Sequence, residues 1–244
     1  AGARMVESIE ELISGASEGS TVVLKKGTYE VRDSLVIDKD LTIVGEQGVP
    51  REGVIIKAQA PYEVRHCLAS IRAKVCIKGV SFDYPGGSYD VGLGQGKEAI
   101  CLRVEGTGRL EIEDCVITTG AGAAIVALGG SATVLVNTCR IGPVGWEESG
   151  LSGYGVAMMM GARGEVINTD IYRTGTSGVL AYGENTRAKV VMCDIGPCVL
   201  SCLAAEGART QIKAKKVKLR DAAWRQIAEL NGGECEIEMV EIVD

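Results

Sequence analysis

Apolar and small residues recur along this chain at offsets 0, 2, 5 and 7 of a short segment, as in Leu110, Ile112, Cys115 and Ile117. The spacing returns as Val75, Ile77, Val80 and Phe82, and as Val134, Val136, Cys139 and Ile141. It continues through Gly164, Val166, Thr169 and Ile171, then Ala188, Val190, Cys193 and Ile195. Ile212, Ala214, Val217 and Leu219 follow, and Cys235, Ile237, Val240 and Ile242 close the series. The third position advances by 35, 24, 30, 24, 24 and 23 residues, a base period of about 24 with two longer steps. Offsets 0 and 2 share one face of a strand because strand side chains alternate. The step to offset 5 breaks that alternation, so the chain has to bend at offset 3 or 4. Helical spacing does not fit.

A further apolar run, such as Ile100-Cys-Leu102, Ile125-Val-Ala127 or Val179-Leu-Ala181, lies about 15 residues before each third position. Each repeat therefore holds about three short strands joined by bends, and a fixed period of this size marks a solenoid. Coils stacked in parallel at about 4.8 Å predict an all-β fold, a single right-handed parallel β-helix over residues 21–244. Residues 1–20 form an N-terminal cap. Within it Val6, Ile9, Leu12 and Ile13 fall on one helical face, and Ser8 with Glu11 has capping-box spacing. The last repeat stops at Asp244 on a strand pattern. The expectation is that the Trp224 segment folds back, or that the chain assembles or is a piece of a longer protein, the last being favoured.

Composition agrees with a narrow interior. The 244 residues include 33 Gly but one Phe, two Trp and seven Tyr. The third-position column of Val80, Cys115, Cys139, Thr169, Cys193, Val217 and Val240 is one of small, similar side chains, which reads as an internal packing ladder. The nine cysteines therefore look like core filling, and with no secretory leader pattern they predict a reducing, cytoplasmic location. A net charge of −6 gives no general attraction to nucleic acid or anionic membrane, and no run is long enough to span a bilayer. One basic patch stands out, Lys213, Lys215, Lys216, Lys218 and Arg220. Charges also pair between rungs, with Glu165 above Lys189 and, within the patch, Lys213 above Glu236.

The segment Gly27–Gly48, followed by the repeats, resembles the opening of the pectin-lyase-like right-handed parallel β-helix superfamily. It is most similar to the intracellular repeat domains of the F-box only protein 11 and SHC SH2-domain-binding protein type. That superfamily carries lyases, hydrolases, esterases, epimerases and non-catalytic modules alike, so the resemblance implies the fold and leaves the activity open. Of the polygalacturonase motifs, Asn168-Thr169-Asp170 matches only the first, and its repeat register makes Thr169 a core residue. The sole histidine, His66, precedes Cys67, so the Gly-His-Gly element is missing. The arginine setting of pectate lyases and the Asp-Pro-His-Glu of alginate epimerases are missing as well. Cys198 and Cys202 lack the second pair that a zinc site needs, and no cofactor is implied.

The two longer steps are the remaining signal, because functional residues gather on loops carried by a rigid scaffold. One insertion falls between Phe82 and Ile100 and holds Tyr84, Tyr89 and Asp90. The other falls between Ile141 and Val156 and holds Trp146, Glu147, Glu148 and Tyr154. Both leave the coil after the same register position, two coils apart, so they share one corner. Aromatic anchors beside carboxylates predict a ligand-binding corner. The expected role is a non-catalytic module that binds a protein or glycan partner there. The alternative is a carbohydrate-active enzyme using paired carboxylates on a neutral or cation-bridged glycan.

Overall fold

The computed structural model describes residues 8–59, 67–85, 100–120, 122–146 and 153–243. One coil shows how the repeat folds. Arg109–Glu113 forms the first strand, Val116–Thr119 the second and Ala123–Leu128 the third. The next coil, Thr133–Asn137, Arg140–Val144 and Tyr154–Met159, lies parallel to it strand by strand. Across the described residues the third strands make one eight-stranded parallel sheet. The first and second strands make a sixteen-stranded sheet that wraps the other two faces.

The bend falls at offset 4. Asp114, Thr138, Asn168, Met192, Lys216 and Met239 all have φ between 48° and 54°, and Gly79 takes the same place at 67°. The left-handed residue turns the strand, and the next residue then points inward. Its side chain caps the turn: Cys115, Cys139 and Cys193 each donate to the carbonyl two residues back at 3.2–3.3 Å, and Thr169 does so at 2.8 Å. The column therefore selects residues that are small and apolar enough to bury, and four of its seven members also donate a hydrogen bond there while Val80, Val217 and Val240 fill the place by packing alone. Asn168-Thr169-Asp170 is accordingly part of a turn. At Gly164 the offset-0 line lacks a side chain, and Met158 fills the space, with its Sδ 2.7 Å from where a Cβ would stand.

Two coils precede those the spacing picks out. Ser20–Leu24 and Gly27–Val31 belong to the first, Leu41–Gly45 and Val54–Ala58 to the second. Their offsets are stretched by extra residues at the bend, including a turn of 3-10 helix at Arg51–Gly53. Ahead of them the helix Ile9–Gly15 closes the end of the stack. Its Ser8–Glu11 capping box is formed, and Ile9 and Ile13 are buried. Lys39 Nζ donates to the carbonyls of Ser14 and Ala16, satisfying the helix C-terminus with a cation, as its dipole favours. No helix among the described residues is long and apolar enough to cross a membrane.

Candidate functional site

The shared corner is a register fact. Tyr84 pairs with Thr119, and Thr119 with Val144, so the strand ends that lead into the two insertions stand on one line. The line continues through Thr174, Cys198 and Ala222.

The residues that the sequence grouped there divide. Tyr84 shares strand parity with Phe82, and both rings turn into the interior core. Burial raises the Tyr84 phenol to about 12. It is a packing residue, and the alternation Val80, Phe82, Tyr84 could have said so. Trp146 is half-buried at the end of the second strand line. Tyr154 opens the third strand, is half-buried, and packs on the outside of the eight-stranded sheet. Tyr89, Asp90, Glu147 and Glu148 lie outside the described residues, as does His66.

That outer side holds what the sequence reading missed. Val126, Ala157, Leu180, Ala204 and Ala228 occupy one register line across five strands, facing away from the interior. With Cys67, Ile100 and Ala123 they form a second apolar cluster, itself buried with no member more than 7% exposed, and edged by half-buried Leu128, Tyr154, Met159 and Tyr182. The signal was available in the continuous apolar runs of the third strands, which mark a sheet with both faces apolar rather than one.

At one end of this stripe the polarity changes. Arg103 stands in register with Val126, and Glu105 with Leu128. Glu105 accepts from Ser70 at 3.0 Å and from Arg72 at 2.8 Å, and lies 3.0 Å from Arg103. Burial works against its charge. The hydrogen bonds from Arg72 and Ser70 and the two guanidinium charges outweigh that, and hold the carboxyl below its ordinary range. A carboxylate held in this way is ionised at neutral pH and is poorly suited to donate a proton.

Four of the five residues of the basic patch are matched by carboxylates. Lys213, Lys215 and Lys218 pair with Glu236, Glu238 and Glu241 at 2.7–3.2 Å, and Arg220 binds both oxygens of Asp194 at 2.6 Å. Cys198 and Cys202 are buried, and the Cys202 thiol donates to the carbonyls of Ile195 and Arg220.

A solenoid of parallel three-strand coils, helix-capped at its N-terminal end and apolar on one outer face, defines the class. The model of the right-handed β-helix region matches residues 91–238, and the chain belongs to that family. No curated protein matches it in sequence. Among solved structures it is similar to a pectin methylesterase in complex with a hexasaccharide, with 13% identity and a TM-score of 0.55, covering 93% of this chain and 78% of that one. It is also similar to a PL6-family alginate lyase, with 12% identity and a TM-score of 0.52. That alignment covers 95% of this chain and 38% of the lyase, so the chain spans well under half the lyase's length. At such identity the likeness is one of fold.

Proposed function

We propose that this β-helix is a non-catalytic interaction module whose partner is a protein, bound across the loop corner and the outer face of the eight-stranded sheet. The observation that carries the reading is the half-exposed apolar rim of Leu128, Tyr154, Met159 and Tyr182, packed against a line of apolar residues that is itself buried. Trp146, at the end of the second strand line, is half-buried. Tyr and Trp on such a surface are the residue types that anchor protein interfaces. A reducing, cytoplasmic setting goes with this reading, supported by nine free thiols, seven of them buried.

A glycan partner is the second reading. Half-buried Tyr154 and Tyr182 could stack on sugar rings, and Arg72 and Arg103, several strands along the same sheet, suit an anionic sugar. The fold neighbours that act on alginate and pectin motivate it.

The test compares the wild type with a Met159→Asp, Tyr182→Asp double variant as bait, alongside a glycan array and a pectin and alginate turnover assay. The expected result is a protein partner retained by the wild type and lost by the folded variant, with no turnover. Glycan binding that the double variant abolishes would favour the second reading. Turnover that Glu105→Gln abolishes would overturn the non-catalytic one.

A further inference from the structure

Along its outer walls the fold pairs opposite charges from one rung to the next. Glu30 meets Lys57, Lys78 meets Glu113, Glu165 meets Lys189 and Asp194 meets Arg220, each at 2.6–3.4 Å. One line departs from this pattern. Lys74, Arg109, Thr133, Arg163 and Arg187 stand in register on five successive rungs, at the start of the first strands. The four cations are exposed and Thr133 is half-buried. None of the four has an ion pair among the described residues. Lys74 and Arg109 are therefore like charges directly opposite one another, as are Arg163 and Arg187, which works against stability. In a chain of net charge −6 the line is a local reversal of sign.

Its neighbours select what can bind. Two residues further along the same strands, on the same outward side, stand Glu111 and Glu165. On the turn side Arg72 and Arg209 are already matched by Glu105 and Glu184. The positive stripe is thus one residue wide. A nucleic-acid duplex would lay phosphates over those glutamates, where like charge repels. The stripe holds no aromatic ring on which the bases of a single strand could stack. A single extended acidic chain running along the solenoid axis crosses the cations alone. Lys74 and Arg187 are four rungs apart, about 19 Å at the spacing of paired strands. Six residues of extended chain cover about 20 Å, so carboxylates at alternate positions span the line. The planar fork of arginine takes a carboxylate through two parallel N–H···O bonds, which favours this chemistry at three of the four cations.

We propose that Lys74, Arg109, Arg163 and Arg187 dock an extended acidic segment of a partner protein, laid along the solenoid axis with carboxylates at alternate positions. The surface lies on the wrapping sheet, and its test does not depend on the outer face of the eight-stranded sheet.

The probe is a labelled, capped peptide of seven residues in which Glu and Ser alternate, and the control carries Gln in place of each Glu. In fluorescence anisotropy with the whole protein at low salt, the Glu peptide binds saturably and the Gln peptide at least about tenfold more weakly. Added salt weakens the Glu peptide, as exposed charges require. Arg163→Ala with Arg187→Ala, both at exposed positions, weakens it about fivefold while keeping the unfolding midpoint. Lys189→Ala, on the same strands but in a matched pair, leaves binding unchanged. Arg187→Glu sets opposite charges on neighbouring rungs, so it keeps or raises the unfolding midpoint while weakening the peptide. The proposal is overturned by no saturation at about 1 mM peptide, by equal binding of the two peptides, or by full binding to the double variant. A lowered midpoint in Arg187→Glu would overturn it by giving the line a folding role. Tighter binding of an oligonucleotide or an oligouronate of equal charge would overturn the choice of a protein partner.

Discussion

The hydroxyl of Thr169 donates to the carbonyl of Ile167 at 2.8 Å, and the thiol of Cys193, one rung on, makes the same bond to Val191 at 3.3 Å. Thr169 Oγ1 also accepts from the Cys139 amide at 3.3 Å. Threonine and cysteine are thus interchangeable here in a way that valine is not. Thr169→Cys is expected to change stability by less than about 1 kcal/mol. Thr169→Val, of nearly the same shape, leaves a buried carbonyl and amide short of a partner and costs about 1–3 kcal/mol. Chemical denaturation of the two variants separates them.

Cys139→Asp tests the ladder more harshly. The side chain stands between Cys115 and Thr169 with almost no exposure, so a carboxylate there is a buried, unpaired charge. A loss of about 3–5 kcal/mol is expected. An unchanged melting temperature would refute the inward register.

Thiol reactivity should divide the nine cysteines sharply. Cys76 and Cys235 are half-buried and the other seven buried. Burial raises the thiol of Cys193 to about 11, and burial with the Glu229 charge raises that of Cys235 to about 12. Burial and Glu111 raise Cys76. A thiol reagent should label only Cys76 and Cys235 in the native protein, slowly at neutral pH and faster as pH rises, because the thiolate is the nucleophile. Mass spectrometry after denaturation should then find seven unlabelled thiols and no disulfide.

The repeat spacing made the bend, the inward lines and the capping box legible before any coordinates. It was legible because a β-helix imposes one local rule on every coil. The first two coils escaped because extra residues at their bends destroy the offsets, a short excess between Leu24 and Gly27 and a longer one between Gly45 and Val54. The corner was legible as a register coincidence, yet Tyr84 was misassigned to the surface because its place after the strand suggested a loop, although its parity with Phe82 makes it core. The outer apolar line was missed for a different reason. A run such as Ile125-Val126-Ala127 reads as a buried strand whichever way its middle residue points, and only the neighbouring coils reveal that Val126, Ala157 and Leu180 face outward together.

Glu105 links stability to pH. Its folded carboxyl is held below the ordinary glutamate value, so its contribution is present above that value and is lost as pH falls through the lower, folded one. Glu105→Gln should cost about 1 kcal/mol at neutral pH, since Arg72 is largely solvated. The difference between variant and wild type should fade in melts taken below about pH 4. A difference that persists into acid would mean that the side chain acts through packing instead.

The corner can be probed directly by substitution. Trp146→Ala combined with Tyr89→Ala should leave the far-ultraviolet spectrum and melting temperature nearly unchanged while weakening partner binding by about 1 kcal/mol or more. Unfolding of the double variant would assign both rings to the core.

The helix Ile9–Gly15 lays Ile9 and Ile13 against the coil beneath it. In a chain where each coil touches only its neighbours, the cover on a coil is half of what holds it. Loosening the helix should therefore lower amide protection first in Ser20–Leu24 and Gly27–Val31 and only later in the coils beyond. The helix works as a bookend, steadying coils whose repeat carries no trace of it.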